Sequence, residues 1–371
     1  MQTSTRRYDI DWWRVIAIIG VYLHHVGMPF NGDGFHIMNS ESSKLLDDIM
    51  VFFEQFRLPL LFIISGVGTM YAFSKRSVWQ FVKERAYRLL IPLIFGVFVI
   101  VPPQTYFQYK ENYTSYWDVY TNFFDHLEAN HLWFIENLFY ISIAAIPIII
   151  FFRSKRSGSL MRILDTLTRN CYGMFLFVLP LVAIKIITKH YYPEDSKDIT
   201  NLSSTLFYGY FFLMGIVITA STQMWTQLKK HRKFNLILAI ISVLLFYTYY
   251  FLPRDLVIAN IEAPLRWNLW YGVSTLVSWT LICTALGYGQ VWFQKPSRAL
   301  VKMNEGIYPF YILHQTALII VGYYLLPLSL SIGAKIGLLI LISLPIIIEI
   351  YYVLIYPFKV TRILFGMKKK A

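Results

Sequence analysis

Residues 12–29 read WWRVIAIIGVYLHHVGMP, and the fold follows from how this stretch is understood. Its 18 residues approach the length a helix needs to cross about 30 Å of hydrocarbon, yet they include Arg14, His24 and His25. Arg6 and Arg7 precede the run and no small-residue cleavage site interrupts it, so it reads as a retained first span rather than a removed leader. Charged and imidazole groups are costly in lipid, so neighbouring segments must give them partners, a watery cavity or a function.

The rest of the chain provides those neighbours. Further apolar runs lie at 49–73, 88–107, 132–152, 171–188, 203–221, 234–252, 268–288, 307–326 and 333–357, which makes ten candidate spans. Prolines at 59, 92, 102, 103, 180, 309 and 345 fall inside them and predict bent helices. The composition agrees: 371 residues are 56% apolar and only 15% charged, against about a quarter charged in a soluble domain. The expected fold is therefore an all-α integral membrane protein, a bundle of about ten transmembrane helices, with residues 1–371 forming one domain.

A net charge of +13 raises the question of nucleic acid, but the positions of the cations answer it. Arg6 and Arg7, then Lys75 to Arg88, Arg153 to Arg169, Lys229 to Lys233, Lys295 to Lys302 and a tail with Lys359, Arg362 and Lys368 to Lys370 occupy alternate connections. The intervening loops hold Asp33, Glu41, Asp47, Asp48, Glu111, Asp118, Asp125, Glu128, Glu194, Asp195 and Asp198. By the positive-inside rule both termini are cytoplasmic, and no nucleic-acid role is needed. Cys171 and Cys283 lie in apolar stretches and read as small buried hydrophobes, neither a disulfide framework nor a metal site. No nucleotide-binding glycine motif, metal-ligand spacing or Gly-x-Ser-x-Gly element occurs.

Four polar groups then stand out. Arg14 and His25 are eleven residues apart, so on a helix they share nearly one face with a rise of about 16 Å between them. Arg14 suits an anion at the inner mouth and His25 suits a general base deeper in; the structural alternative is a snorkelling arginine and an interfacial histidine. Glu54 on the second span and Glu136 on the fourth reach a similar depth, so either carboxylate is a candidate for orienting His25, while Glu54 and Arg57 are also spaced to neutralise each other. Arg85 and Arg88 open the third span as an i, i+3 pair, which fits either bidentate phosphate binding or ordinary positive-inside charge. The last group is His131 with Trp133, and His314 within the ninth span, where an imidazole marks a cavity, a packing site or a catalyst.

Together these groups resemble the acyltransferase-3 family of polytopic membrane acyltransferases, over nearly the whole chain. The likeness is carried by Arg14 with His25, by Phe62-Ile-Ile-Ser65-Gly66, and by Arg85-x-x-Arg88 before Leu-Leu-Ile-Pro92. A closer resemblance to the glucan-succinylating branch rests on Phe56-Arg57-Leu-Pro-Leu, Val101-Pro-Pro-Gln104-Thr-Tyr106, His131-Leu-Trp-Phe134 and Tyr308-Pro-Phe-Tyr-Ile-Leu-His314-Gln315. Trp13 departs from the pattern, standing where a smaller aliphatic residue is usual.

The resemblance implies transfer of an acetyl or succinyl group from cytoplasmic acyl-CoA to a sugar hydroxyl of an envelope glycan, in a bacterial cytoplasmic (inner) membrane and without a metal. It implies that His25, rather than His24, and Arg14 are catalytic, that Arg85 and Arg88, with Arg14, bind coenzyme A, and that Arg57, His131, Trp133 and His314 are candidates for the substrate passage. Expected partners are the glycan, membrane lipid and coenzyme A, with a glycan synthase or a second copy of the chain as further candidates. The rival reading is an exporter or flippase for a glycan or lipid-linked sugar; against it stands the lack of an inverted repeat.

Overall fold

A computed structural model describes residues 6–121, 123 and 128–368; Asp125, Lys369 and Lys370 of the charge pattern lie outside the described residues. The described chain is helical, without a strand. In order, the α-helices are α1 (Tyr8–Asn31), α2 (Lys44–Glu54), α3 (Arg57–Phe73), α4 (Val78–Arg85), α5 (Ile91–Phe95), α6 (Pro102–Gln108), α7 (Trp133–Ala144), α8 (Ile146–Arg153) and α9 (Gly158–Leu167). They continue with α10 (Val178–Tyr191), α11 (Leu202–Ala220), α12 (Thr222–Lys230), α13 (Arg232–Tyr250), α14 (Arg254–Asn260), α15 (Ala263–Trp292), α16 (Arg298–Leu325), α17 (Ile332–Ile350) and α18 (Lys359–Leu364).

Among the described residues, six helical segments are long and apolar enough to cross a membrane: Lys44–Phe73, Val78–Gln108, Leu202–Ala220, Arg232–Tyr250, Ala263–Trp292 and Ile332–Ile355. A seventh is formed if Asn130–Ala144 and Ile146–Arg153, bent by 48°, count as one span. Three predicted runs fall outside that set for identifiable reasons. α10 has only 14 residues, while α1 and α16 are long enough but spend part of their length on Arg14, His24 and His25, and on His314 and Gln315. α13 and α17 bury only 22% and 28% of their apolar windows, so side chains such as Leu244 and Leu341 project outward, as they do on a lipid-facing helix.

The chain forms two compact units. The first takes the residues up to Arg14, Gln55–Val78 and Ile141–Pro296. Here α3 and α11 meet backbone to backbone: a Cβ on Gly66 would lie 2.0 Å from the Phe212 carbonyl oxygen, and one on Gly215 would lie 2.2 Å from that of Ile63. Small residues at such a crossing are how helices gain contact where lipid removes the hydrophobic drive between them. α15 packs against α10, α12 and α13 in the same unit, and the buried indole of Trp279 donates to the Met174 carbonyl at 2.8 Å.

The second unit takes Val15–Glu54, Trp79–Tyr140 and the chain from Ser297 onward. α16 lies against α6 and α17, and Tyr22 on α1 shares a 2.9 Å hydrogen bond with Ser343 on α17. The prolines of the third predicted span shape this unit. Turns of π-helix at Ala86–Leu90 and Gly96–Ile100 precede Pro92 and Pro102, because a proline has no N–H to give and its ring displaces the carbonyl four residues back. Pro102 and Pro103 together deprive the Phe98 carbonyl of both its i+4 and its i+5 donors; the Tyr120 hydroxyl donates to it at 3.0 Å.

Candidate active site

His25, His131 and His314 converge in the second unit. His314, almost fully buried on α16, has its Nδ1 2.5 Å from the Tyr311 carbonyl one turn earlier. A carbonyl only accepts, so Nδ1 carries the proton and the neutral ring presents a lone pair at Nε2. That Nε2 is 2.8 Å from His25 Nδ1, which therefore donates. The consequence is a tautomer: neutral His25 holds its proton on Nδ1 and carries its lone pair on Nε2. Phe35 stacks over the His25 ring, with centroids 6.1 Å apart.

His131 is set by the same logic. It sits in the 3-10 turn Asn130–Leu132 ahead of α7, where its Nε2 donates to the Ile312 carbonyl at 3.0 Å and its Nδ1 accepts from the Gln104 amide at 3.2 Å. Its ring lies 5.5 Å from that of His314, edge to face. The Gln104 amide also reaches Thr316 Oγ1 at 2.7 Å, and Gln315 donates to Gln104 Oε1 at 3.0 Å and to Asn130 Oδ1 at 2.9 Å. Asn130 adopts φ +48°, a left-handed conformation that asparagine tolerates better than most residues. The outermost member is His36 in the α1–α2 loop, 2.5 Å from Gln108 Oε1 and 3.0 Å from the Gln315 amide. Burial pushes its imidazole below the usual range, which favours the neutral form.

The other predicted residues fall elsewhere. Glu54 ends α2 with its carboxylate 3.3 Å from Nε2 of buried His24, so it engages the first histidine of the pair. Glu136 and Trp133 are half-buried in the first turn of α7. Arg14 and Arg57 belong to the first unit, where Arg14 bonds Asp11 at 3.1 Å and Arg57 is buried at the start of α3.

The sequence places Arg85 and Arg88 as an i, i+3 pair on one helical face; in the structure α4 ends at Arg85 and the chain widens to a π turn over Ala86–Leu90. The cause is Pro92, which cannot bond the Arg88 carbonyl. Arg85 lies over the Phe81 ring at 4.7 Å, and Arg88, 46% exposed at its side chain, faces Glu84 at 3.6 Å. Gly366, at φ +66°, packs against the Arg88 carbonyl and Tyr308, where a Cβ would clash with both.

The acyltransferase-domain profile of the acyltransferase-3 family matches residues 7–355. The chain belongs to that family. It is also 25% identical over 223 residues to proteins named glucans biosynthesis protein C from Salmonella paratyphi B, Salmonella dublin and Salmonella enteritidis, covering 57% of this chain and 58% of each relative. The match thus spans a little over half the length of those relatives. No solved structure matches it.

Sequence reasoning gave no role to Gln104, Asn130, Gln315, Thr316 or His36. For Gln104 and Gln315 a signal existed: an amide inside an apolar run is costly unless paired, and each pairs with the other. His36 carried no such signal, because it lies in a loop where histidine is unremarkable.

Proposed function

We infer that the protein is a membrane-embedded O-acyltransferase that moves an acetyl or succinyl group from acyl-CoA to a sugar hydroxyl of an envelope glucan, in a bacterial inner membrane. The observation that carries this reading is the Tyr311–His314–His25 hydrogen-bond chain, which sets the His25 tautomer with its lone pair on Nε2. His25 takes the proton of the acceptor hydroxyl as its oxygen attacks the thioester carbonyl; the ester C–O bond forms, the C–S bond breaks, and the proton passes from His25 to the departing thiolate. The family supports acyl transfer, and the name of the relatives, glucans biosynthesis protein C, supports a glucan as the acceptor.

Coenzyme A carries several phosphates, and the part-exposed guanidinium of Arg88 beside Arg85 offers planar donors for them. Replacing both arginines with glutamine is expected to weaken coenzyme A binding about tenfold or more, read by calorimetry on purified protein, without loss of expression. Undiminished binding removes them from the donor site.

The whole reading is tested in cells. Deletion of the gene is expected to remove an acyl ester from envelope glucans, measured by NMR and mass spectrometry, and only the wild-type gene is expected to restore it, not His25→Ala. Unchanged ester content with glucan retained inside the cell instead favours export.

A further inference from the structure

A cavity of about 1060 Å³ opens between the α1–α2 loop, the end of α6 and the turn joining α16 to α17. All three segments lie in the second unit. We propose that this groove is the acceptor subsite, binding a stretch of neutral glucan and presenting one hydroxyl toward the histidine cluster. The proposal deepens the acyl-transfer reading and rests on it.

Size is the first argument. The cavity stands at the upper end of small-molecule sites, which run to about 1,000 Å³, and so fits an oligosaccharide segment better than a single small metabolite. The lining chemistry is the second. Phe107, Tyr323 and Tyr324 form an aromatic wall, with Phe107 5.1 and 5.9 Å from the two tyrosine rings, and Tyr324 is 65% exposed. Glu41 and Gln108 add a carboxylate and an amide. Aromatic faces for the C–H side of a pyranose, with acceptors and donors for its hydroxyls, are what a neutral polyol needs.

The cation at the groove is not disposed for a phosphate. Lys335 is 4% exposed, and its ammonium is held by Asn39 Oδ1 at 2.7 Å and by the Leu326 carbonyl at 2.6 Å. It ties the α1–α2 loop to α17. Backbone bonds from Asn39 to the Pro29 carbonyl and from Ser43 to that of Phe30 hold the same loop at both ends, so the groove is built on a fixed rim.

Continuity is the third argument. His36 lines the groove, Gln315 bridges His36 to Gln104, and Gln104 reaches His131, whose ring meets that of His314. Hydrogen-bonded side chains therefore run from the groove to His131, whose ring packs edge to face on His314, the partner of His25.

The test uses purified full-length protein, an acyl-CoA donor and short linear glucan oligosaccharides. Tyr324→Ala and Glu41→Gln, both at exposed positions, are each expected to raise the acceptor KM about fivefold to tenfold while the KM for acyl-CoA holds. An acceptor KM equal to wild type in both variants, or a rise in the donor KM instead, overturns the subsite. Saturation-transfer NMR with the same oligosaccharide separates this failure from failure of the reaction itself. If the wild type forms no ester yet binds the oligosaccharide, and the variants do not bind it, the groove stands and the acyl-transfer reading falls; a wild type that does not bind the oligosaccharide overturns the groove.

Discussion

His25→Ala is expected to lower glucan acylation by about two to four orders of magnitude in purified protein while coenzyme A still binds. The size follows from what is removed. With His314 Nδ1 committed to the Tyr311 carbonyl and His25 Nδ1 to His314, the lone pair of neutral His25 lies on Nε2, and a positioned proton acceptor accounts for a loss of that order. His314→Phe keeps a ring in the same buried place but removes the acceptor that fixes the His25 tautomer. It is expected to lose about tenfold to a hundredfold and to shift the acidic limb of the rate profile, which a purely packing role would not do. Ester formation followed by mass spectrometry, with coenzyme A affinity measured in parallel, checks both. A His25→Ala protein that turns over normally removes the histidine from the chemistry.

Gly66→Val is expected to produce the largest loss of stability. Its Cβ would stand 2.0 Å from the Phe212 carbonyl oxygen and 3.2 Å from the Gly215 Cα, and no rotamer relieves a contact with backbone. α3 and α11 would have to separate along their crossing, at a cost of about 3 kcal/mol, and their close backbone contact would be lost. Thermal unfolding in detergent measures it. Gly272→Ala, whose Cβ meets nothing within 4 Å, is the matched control and is expected to unfold with wild type. Equal melting of the two variants would show that the crossing tolerates a side chain.

Much of the architecture was legible because lipid imposes a simple rule: backbone groups must be satisfied within helices, so apolar runs announce them. The run at 333–357 and the one at 203–221 recur as Ile332–Ile355 and α11 with little shift. Bends were legible from proline, although the π turn over Ala86–Leu90 that carries Arg88 was not. The site was legible only in pieces. His25 and His314 stand 289 positions apart, and nothing local says that they share a proton. Likewise, depth makes Glu54 on α2 a candidate for orienting His25, whereas the folded arrangement brings its carboxylate to His24. The groove was least legible, since Tyr324 and Phe107 look like ordinary interfacial aromatics until the α1–α2 loop comes beside them.

The bond from Tyr120 to the Phe98 carbonyl bears on how the protein is made. In lipid, backbone groups are satisfied within the protein, and Pro102 and Pro103 stand where Phe98 would otherwise meet its i+4 and i+5 donors. Tyr120 belongs to a segment synthesised afterwards, in the 3-10 turn Tyr116–Tyr120. This bond therefore forms only after the chain beyond the span has emerged and folded back, which gives the 110–120 loop a part in completing the span as well as in connecting it.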